Sequence, residues 1–190
     1  MKEAYLDNSA TTAVCPEAAR RATDTMLRCY GNPSSLHGMG VAAQREMEKA
    51  RGEVAGLIGA KPNTLIFTSG GTEANNLAIF GAAQARRRAG KRIVTTAVEH
   101  PSVSSACDEL ERQGYEVIRL TPDRTGLIGA EQVEQACTST TILCSVMMVN
   151  NETGALFPIR EMIAALRRNA PVSYTHLDVY KRQGQKGSGR

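Results

Sequence analysis

The sequence predicts an α/β fold in which a mostly parallel sheet carries helices on both faces. From residue 64 onwards, short apolar segments alternate with longer amphipathic segments. The apolar segments are rich in β-branched residues and too short for helices, so they indicate buried strands. Strand–helix–strand units connect parallel strands through right-handed crossovers. The alternation therefore predicts a doubly covered parallel sheet.

Two helices are predicted before this alternation begins. The first covers residues 16–29, where Pro16 suits the opening turn of a helix. The second covers residues 41–58, and Gly59 is placed to end it. The segment 30–40 between them contains several glycines and a proline, which predicts a loop.

The alternating part of the chain is predicted to hold four strands and four helices. The strands are expected at 64–68, 92–97, 116–120 and 141–149. The helices are expected at 72–90, 101–114, 129–137 and 159–169. Parallel sheets of this kind bind ligands just beyond the carboxyl ends of their strands. A site is therefore predicted in the segments 69–73, 98–101 and 150–154.

Length and composition indicate one globular domain. The 190 residues are 42% hydrophobic and 22% charged, which is ordinary for a protein with a single core. No apolar stretch is long enough to span a bilayer, and the first residues lack the apolar region of a secretion signal. We therefore expect a cytoplasmic protein with no membrane partner.

The cysteines predict neither disulfides nor a metal site. Their number is odd and no CxxC pair occurs, which in the absence of a secretion signal favours reduced thiols. No histidine stands at metal-ligand spacing from them, so no bound metal is expected. The five are Cys15, Cys29, Cys107, Cys137 and Cys144.

One dense basic run raises the question of a nucleic-acid partner. The run "ARRRAGKR" covers residues 85–92, in a chain whose formal net charge is +4. It falls where a helix is predicted to end, and cations there suit the helix dipole. Aromatic residues make up only 4% of the chain and are not interleaved with the run. No nucleic-acid partner is therefore predicted.

The segment "SGGTEANN" follows the first predicted strand and has two interpretations. Its glycines allow close backbone approach, and the free N–H groups of the next helix, with the hydroxyls of Ser69 and Thr72, could bind a phosphate. The alternative is an ordinary loop with Thr72 as helix cap and Glu73 in the first turn. Neither the GxxxxGK[ST] nor the GxGxxG phosphate motif is present.

The two other strand ends also carry polar side chains. "VEHPS" places His100 just before a proline, where it could move protons or stack on a ring, although a lone histidine is more often structural. "VNNETG" could present a side-chain amide to a ligand oxygen, or simply form a turn. All three segments lie where the topology predicts a ligand, and this coincidence favours a phosphate-bearing ligand.

Five stretches together resemble the cysteine desulfurases, pyridoxal-phosphate enzymes with the class V aminotransferase-like fold. Their order and spacing match that family from about Ala4 to Ala170. The stretches are "YLDNSATT" (5–12), "GNPSSLHGMG" (31–40), "IFTSGGTEANNLAI" (66–79), "VEHPSV" (98–103) and "MMVNNETGALFPI" (147–159).

The resemblance implies a role for four residues. Gly71 and Thr72 match the positions that hold the phosphate of pyridoxal 5'-phosphate. His100 matches the histidine that stacks on the cofactor ring and moves protons, which makes it the candidate catalytic residue. Asn151 matches the asparagine that hydrogen-bonds the phenolic oxygen of the cofactor.

The resemblance also implies a reaction. Such enzymes convert L-cysteine to L-alanine and pass the sulfur, as a protein persulfide, towards iron–sulfur cluster assembly or tRNA thiolation. The implied partners are a sulfur-acceptor protein and a second copy of the enzyme in a homodimer. The family's Schiff-base lysine and persulfide cysteine have no match in this chain, so this chain alone is predicted to be inactive.

The last twenty residues, 171–190, do not continue the pattern and are predicted to be a non-native tail rather than a domain. The stretch "PVSYTHLDVYKRQ" can be back-translated into a DNA string that is its own reverse complement from the second base of the proline codon to the end. That string resembles two transposon ends joined head to head, as in sequencing adapters. The native part is accordingly predicted to be 1–170, with Val172–Gln183 as the adapter-derived segment.

Two other functions are consistent with the sequence. One is a truncated module that binds a phosphate ligand or a partner without catalysis. The other is a relative such as a selenocysteine lyase. An exposed sheet edge would also make a chain of this length prone to aggregate.

Overall fold

The computed structural model describes residues 4–8, 10–169 and 174–176 of the chain. These residues form two compact units, one spanning residues 1–67 and the other residues 68–190.

The first unit contains two helices, α1 (Pro16–Arg28) and α2 (Gly38–Ile58), followed by a 3-10 turn at Pro62–Thr64. The imidazole of His37 caps α2 by accepting a hydrogen bond from the Gly40 N–H. The loop before α2 closes tightly on the helix, since a Cβ at Gly40 would lie 2.2 Å from the Ser35 carbonyl oxygen. Gly59 ends α2 in the left-handed conformation, with φ of 69°.

The second unit is a four-stranded parallel sheet with four helices. Its strands run in the spatial order β2-β1-β3-β4. They are β1 (Arg92–Thr96), β2 (Glu116–Leu120), β3 (Thr141–Ser145) and β4 (Tyr174–His176). The helices are α3 (Gly71–Arg86), α4 (Pro101–Arg112), α5 (Ala130–Ala136) and α6 (Ile159–Asn169).

Helices cover both faces of this sheet, as the sequence predicted. On one face Ile93 and Leu143 are buried against the apolar side chains of α3 and α4. On the other face Val94 and Cys144 are buried with residues of α5 and α6. The neighbours Ile93 and Val94 thus point to opposite helical layers, and both β1 and β3 are buried along almost their whole length.

The strand predicted at 64–68 was wrong. Residues 62–64 form a 3-10 turn, and the following residues adopt no strand. Ile66 and Phe67 are exposed rather than buried. A strand is stabilised by hydrogen bonds to a neighbour, and none of the described strands pairs with this segment.

The strand predicted at 141–149 is shorter than expected. β3 ends at Ser145, and beyond it Val149 forms an isolated antiparallel bridge with Leu156. The apolar residues Val146 and Met147 remain buried without belonging to the strand. Apolar composition marked the burial of this segment correctly but not its backbone conformation.

β4 lies within residues 171–190, which the sequence predicted to be a non-native tail. Tyr174–His176 pairs with β3, with Leu143 opposite Tyr174. The rest of that range lies outside the described residues. Pairing of three residues does not decide the origin of the segment, so its non-native character stays a prediction.

Candidate active site

The loops that follow β1 and β3 lie side by side, because the two strands are parallel neighbours. A carboxylate joins them. Glu99, in the loop after β1, accepts hydrogen bonds through Oε1 from the Met147 N–H at 2.7 Å and from the Thr96 hydroxyl at 3.1 Å. Because Met147 is buried, this bond satisfies a backbone donor that water does not reach.

A second bond between the same loops comes from Asn150. Its side-chain Nδ2 donates to the Val98 carbonyl at 3.1 Å. Its Oδ1 accepts from the backbone N–H groups of Glu152 and Thr153, both at 2.9 Å. Asn150 is 4% exposed and therefore organises the turn from within. The neighbouring residue, Asn151, is placed at the surface by this turn.

The amino-terminal ends of α3 and α4 are joined by two consecutive asparagines. Asn75 Nδ2 donates to the Ser102 hydroxyl at 2.9 Å. Asn76 Nδ2 donates to the Thr72 carbonyl at 2.8 Å and to the Ser102 carbonyl at 3.4 Å. The helix that begins at Gly71 is thereby held against the helix that begins just after His100.

His100 occupies the N-cap of α4, directly before Pro101. Its Nδ1 accepts the Ser102 backbone N–H at 3.1 Å and lies 2.9 Å from the Ser102 hydroxyl oxygen. The ring is exposed, and Nε2 forms no hydrogen bond with the described residues. The structure thus holds the imidazole by one edge and leaves the other edge free for a ligand.

The start of α3 is open enough for an anion. Gly70 provides no side-chain cap, and a Cβ built on Gly70 or Gly71 would meet nothing within 4 Å. Thr72 is exposed in the first turn. The backbone N–H groups at this helix end, together with the Thr72 hydroxyl, form a donor set that fits a phosphate group.

The Ser69 hydroxyl, which one of the two interpretations offered to the phosphate, bonds a carboxylate in this structure. Ser69 donates through both its hydroxyl and its backbone N–H to Glu73 Oε2, each at 2.6 Å. These two bonds lower the pKa of the Glu73 carboxyl, the hydroxyl having the larger effect. The carboxylate is tied to Ser69, which leaves Gly71 and Thr72 as the available donors.

Asn151 is exposed, and its Nδ2 donates to Glu152 Oε1 at 2.6 Å. The side chain of its chain neighbour, Asn150, forms four hydrogen bonds, one to Val98 and three within the turn to Glu152 and Thr153. The pair therefore divides into one buried and one accessible amide. Only the accessible amide of Asn151 is placed to meet a ligand.

The four predicted site residues therefore lie on three connected loops of one unit. Gly71 and Thr72 begin α3, His100 precedes α4, and Asn151 lies in the turn after β3. An anion site at a helix end, an exposed imidazole face and an exposed amide suit a phosphorylated aromatic cofactor. In the described part of the second unit the one lysine is Lys91, which precedes β1 and so lies at the opposite edge of the sheet.

Sequence reasoning missed the side chains that join these loops. These side chains stand close in sequence to predicted site residues, but their bonding partners are far along the chain. The bonds Asn75–Ser102, Glu99–Met147 and Asn150–Val98 each join residues that are 27 to 52 positions apart. Periodicity reports only local structure and does not reveal such partners. The one available signal was the density of amide and hydroxyl groups in segments predicted to be loops.

The described residues contain neither a metal-ligand cluster nor a membrane-spanning helix. Among the described residues, no group of three or more histidine, cysteine, aspartate or glutamate side chains could hold a metal ion. No helix in that part of the chain has the length and apolar character needed to cross a membrane.

Comparison with known proteins gives consistent matches. The profile of the aminotransferase class-V family matches residues 4–181, a range that extends into the predicted tail. The chain is 42% identical over 184 residues to the cysteine desulfurase IscS of Escherichia coli, covering 95% of this chain and 45% of that protein. It is 39% identical to the putative cysteine desulfurase IscS 1 of Bacillus subtilis, covering 97% of this chain and 48% of that protein.

Solved structures agree with these matches. A NifS-like protein superimposes with a TM-score of 0.86 at 32% identity, covering 90% of this chain and 47% of that one. SspA in complex with cysteine superimposes with a TM-score of 0.81 at 33% identity, covering 89% and 48%. The chain thus spans about half the length of the curated relatives it matches.

Proposed function

Because this chain belongs to the aminotransferase class-V family, we propose that it is the N-terminal part of a cysteine desulfurase and that it binds pyridoxal 5'-phosphate. The intact enzyme would release sulfur from L-cysteine, leave L-alanine and pass the sulfur on as a protein persulfide. The relatives named above support the enzyme class. The open helix end at Gly71 supports the phosphate-bearing cofactor.

Each proposed contact follows from a feature of the site. The N–H groups at Gly71 and Thr72 and the Thr72 hydroxyl would hold the phosphate, where the partial positive charge of the helix end favours an anion. The exposed imidazole of His100 would stack on the ring. The amide of Asn151 would donate to the ring's phenolic oxygen, provided that Glu152 releases it. The bound cofactor supplies an electron sink for the substrate.

The observation that carries the proposal is the joining of the three loops by side-chain bonds. Asn75 links the helix that begins at Gly71 to Ser102, two residues from His100. Asn150 links the turn that contains Asn151 to Val98, two residues before His100. A site for one ligand needs fixed distances between its parts, and these bonds provide them.

We further propose that this chain alone does not turn over L-cysteine. The lysines of the described part are Lys49, Lys61 and Lys91, and none lies in the loops at the carboxyl edge of the sheet. The imine-forming lysine and the persulfide cysteine would thus come from outside this part. A cytoplasmic location, a homodimer and a sulfur-acceptor partner complete the proposal for the intact enzyme.

Binding of pyridoxal phosphate to the chain, measured by equilibrium dialysis, tests the proposal. Thr72→Val should weaken binding of pyridoxal phosphate by about tenfold, the effect of losing one hydrogen bond to a charged group. The same variant should leave binding of pyridoxal, which lacks the phosphate, unchanged. His100→Ala and Asn151→Ala should weaken binding of both compounds.

Matched controls come from the first unit. Thr23→Val, His37→Ala and Asn63→Ala change the same residue types at other exposed positions and should not alter the affinity. Equal losses from the control and the site variants would overturn the proposed contacts. A separate outcome tests the lack of an imine-forming lysine. A stoichiometric borohydride-reduced adduct on one lysine of this chain would contradict that prediction.

A non-catalytic phosphate-binding module is a second candidate, favoured by the absence of a lysine from the carboxyl-edge loops of the described residues. It predicts that inorganic phosphate or a simple phosphate ester binds as tightly as pyridoxal phosphate. The desulfurase proposal predicts at least about tenfold tighter binding of the cofactor, because ring contacts add to the phosphate contacts. A selenocysteine lyase-like enzyme would give the same result here and differ only in substrate.

A further inference from the structure

The hydrogen bonds around His100 determine which of its ring nitrogens carries a proton. A backbone N–H can only donate, and the Ser102 N–H points to Nδ1 at 3.1 Å. Nδ1 therefore offers a lone pair in the neutral ring, which favours the proton on Nε2. This one backbone bond gives only a preference for the Nε2–H tautomer, since a single weak hydrogen bond is easily broken.

The Ser102 hydroxyl can reinforce or oppose that preference, because a hydroxyl both donates and accepts. It lies 2.9 Å from Nδ1 of His100 and 2.9 Å from Nδ2 of Asn75. The Asn75 amide group can only donate through Nδ2, so the hydroxyl oxygen accepts there. Its own proton is then free to point at Nδ1. Ser102 is 7% exposed, so water competes little for either bond.

We infer that Asn75 and Ser102 are positioning residues that hold neutral His100 as the Nε2–H tautomer. The relay runs in one direction, from the Asn75 amide to the Ser102 hydroxyl and from that hydroxyl to Nδ1. Nε2, on the exposed edge of the ring, is thereby a hydrogen-bond donor when the site is ready for a ligand. The functional meaning of this donor rests on the proposed function, whereas the tautomer itself does not.

This tautomer limits the roles that the neutral ring of His100 can take towards a ligand. The neutral ring can donate at Nε2 to a ligand oxygen, nitrogen or sulfur. It cannot accept a proton at Nε2, because that position is already protonated. The only lone pair of the ring is at Nδ1, where two Ser102 donors already stand. In this tautomer His100 therefore offers a ligand a hydrogen bond at Nε2, whereas a complete proton transfer from Nε2 requires a ring that already carries a proton on both nitrogens.

The tautomer can be read directly by nitrogen NMR of the full chain labelled with 15N-histidine, since the two ring nitrogens have different shifts in each tautomer. The chain has only three histidines, so His37→Gln and His176→Gln variants assign the signals. The spectrum is recorded at about pH 8.5, about two units above the reference pKa of free histidine, so that neutral imidazole tautomers are compared. We expect His100 to show Nε2–H, and a majority of Nδ1–H would overturn the inference.

Two substitutions test the relay. Asn75→Asp keeps the shape but replaces the donor by an acceptor, which draws the Ser102 proton away from Nδ1. The ratio of Nδ1–H to Nε2–H should rise by about fivefold, the factor for one hydrogen bond of ordinary net strength. Ser102→Ala removes the hydroxyl, keeps the backbone N–H and should give a rise of similar size. An unchanged ratio in both variants would refute the relay.

Asn76→Asp is the matched control. It adds the same charge one residue along α3 and loses the bonds to Thr72 and to the Ser102 carbonyl, but Asn76 makes no contact with the Ser102 hydroxyl. The His100 tautomer should stay as in the parent chain. An equal change in Asn76→Asp would mean that helix packing or charge, rather than the relay, controls the ring.

The outcome separates this inference from the proposed function. The tautomer is measured without any cofactor, and pyridoxal phosphate affinity is measured on the same samples. A correct tautomer without cofactor binding would refute the proposed function alone. Cofactor binding with an unaltered tautomer in Asn75→Asp and Ser102→Ala would refute the relay alone.

Discussion

Glu99 accepts the backbone N–H of Met147 at 2.7 Å, so one carboxylate joins the ends of two neighbouring parallel strands. The same oxygen accepts the Thr96 hydroxyl. Glu99 precedes His100, and Met147 lies three residues before Asn150. The bond therefore determines the spacing between the two loops that carry His100 and Asn151.

Glu99→Ala should lower the free energy of unfolding by about 1–3 kcal/mol, because it leaves the buried Met147 N–H without a partner. Glu99→Gln retains an acceptor oxygen and should lower it by less than half of that amount. Urea denaturation measures both. Glu161→Ala, at an exposed position on α6, is the control and should change it by no more than about 0.5 kcal/mol. Equal losses from all three variants would show that the Glu99 bond has no special role.

The adjacent residues Asn150 and Asn151 should separate stability from ligand binding. Asn150→Ala removes the side-chain bonds that hold the buried turn and should lower the free energy of unfolding by about 2–3 kcal/mol. Asn151→Ala changes an exposed side chain and should alter it by less than about 0.5 kcal/mol. Only Asn151→Ala should weaken cofactor binding while leaving the urea transition in place. The reverse pattern would show that Asn150, and not Asn151, contacts the ligand.

The buried thiol of Cys107 should make the stability depend on alkaline pH. Burial raises the pKa of this thiol from 9.0 to about 11, and the side chain is fully buried on the face of α4 that packs against the sheet. The unfolded chain ionises first, so the stabilisation is present below about pH 9 and is lost as the pH rises to about 11.

Urea denaturation at about pH 8 and about pH 10 measures this effect. The unfolding free energy of the parent chain should fall by about 1 kcal/mol more than that of Cys107→Ala over this interval. The comparison uses the change with pH and not the absolute value, so packing lost in the variant cancels. Parallel pH curves for the two proteins would contradict the assigned shift.

Exposed apolar side chains of the first unit should limit the solubility of this chain. Leu36 is 98% exposed and Leu57 is 87% exposed. Leu36→Ser and Leu57→Ser together should raise the concentration at which the chain begins to aggregate, because they remove apolar surface from water without removing core contacts. Light scattering against concentration measures this. An unchanged aggregation concentration would show that these two leucines do not limit the solubility.

The sequence predicted the sheet well because burial on both faces leaves a strong signal. Ile93 and Val94 point to opposite helical layers, so β1 is buried on both faces, and the glycine and proline signals bound the helices. The strand at 64–68 failed because apolar composition does not reveal whether a pairing partner exists. The β3 boundary failed because Val146 and Met147 are buried by packing rather than by strand pairing.

The site could be predicted only in part. The resemblance to cysteine desulfurases pointed to Gly71, Thr72, His100 and Asn151, and the structure places them on connected loops. The bonds that connect those loops were not predictable, since Asn75 meets Ser102 and Asn150 meets Val98 only after the sheet has formed. The sequence left two interpretations of Ser69 open, because a hydroxyl before a helix can bond either a ligand or a nearby carboxylate, and the structure shows the bond to Glu73.

The central claim is that the start of α3 and the loops after β1 and β3 form one site for pyridoxal phosphate. Backbone and side-chain amide NMR of the 15N-labelled chain, followed while pyridoxal phosphate is added, tests it most directly. We predict that the Gly71 and Thr72 N–H signals, the His100 ring and the Asn151 side-chain amide shift together with a single dissociation constant. Shifts confined to other residues, or different constants for the three loops, would contradict the account.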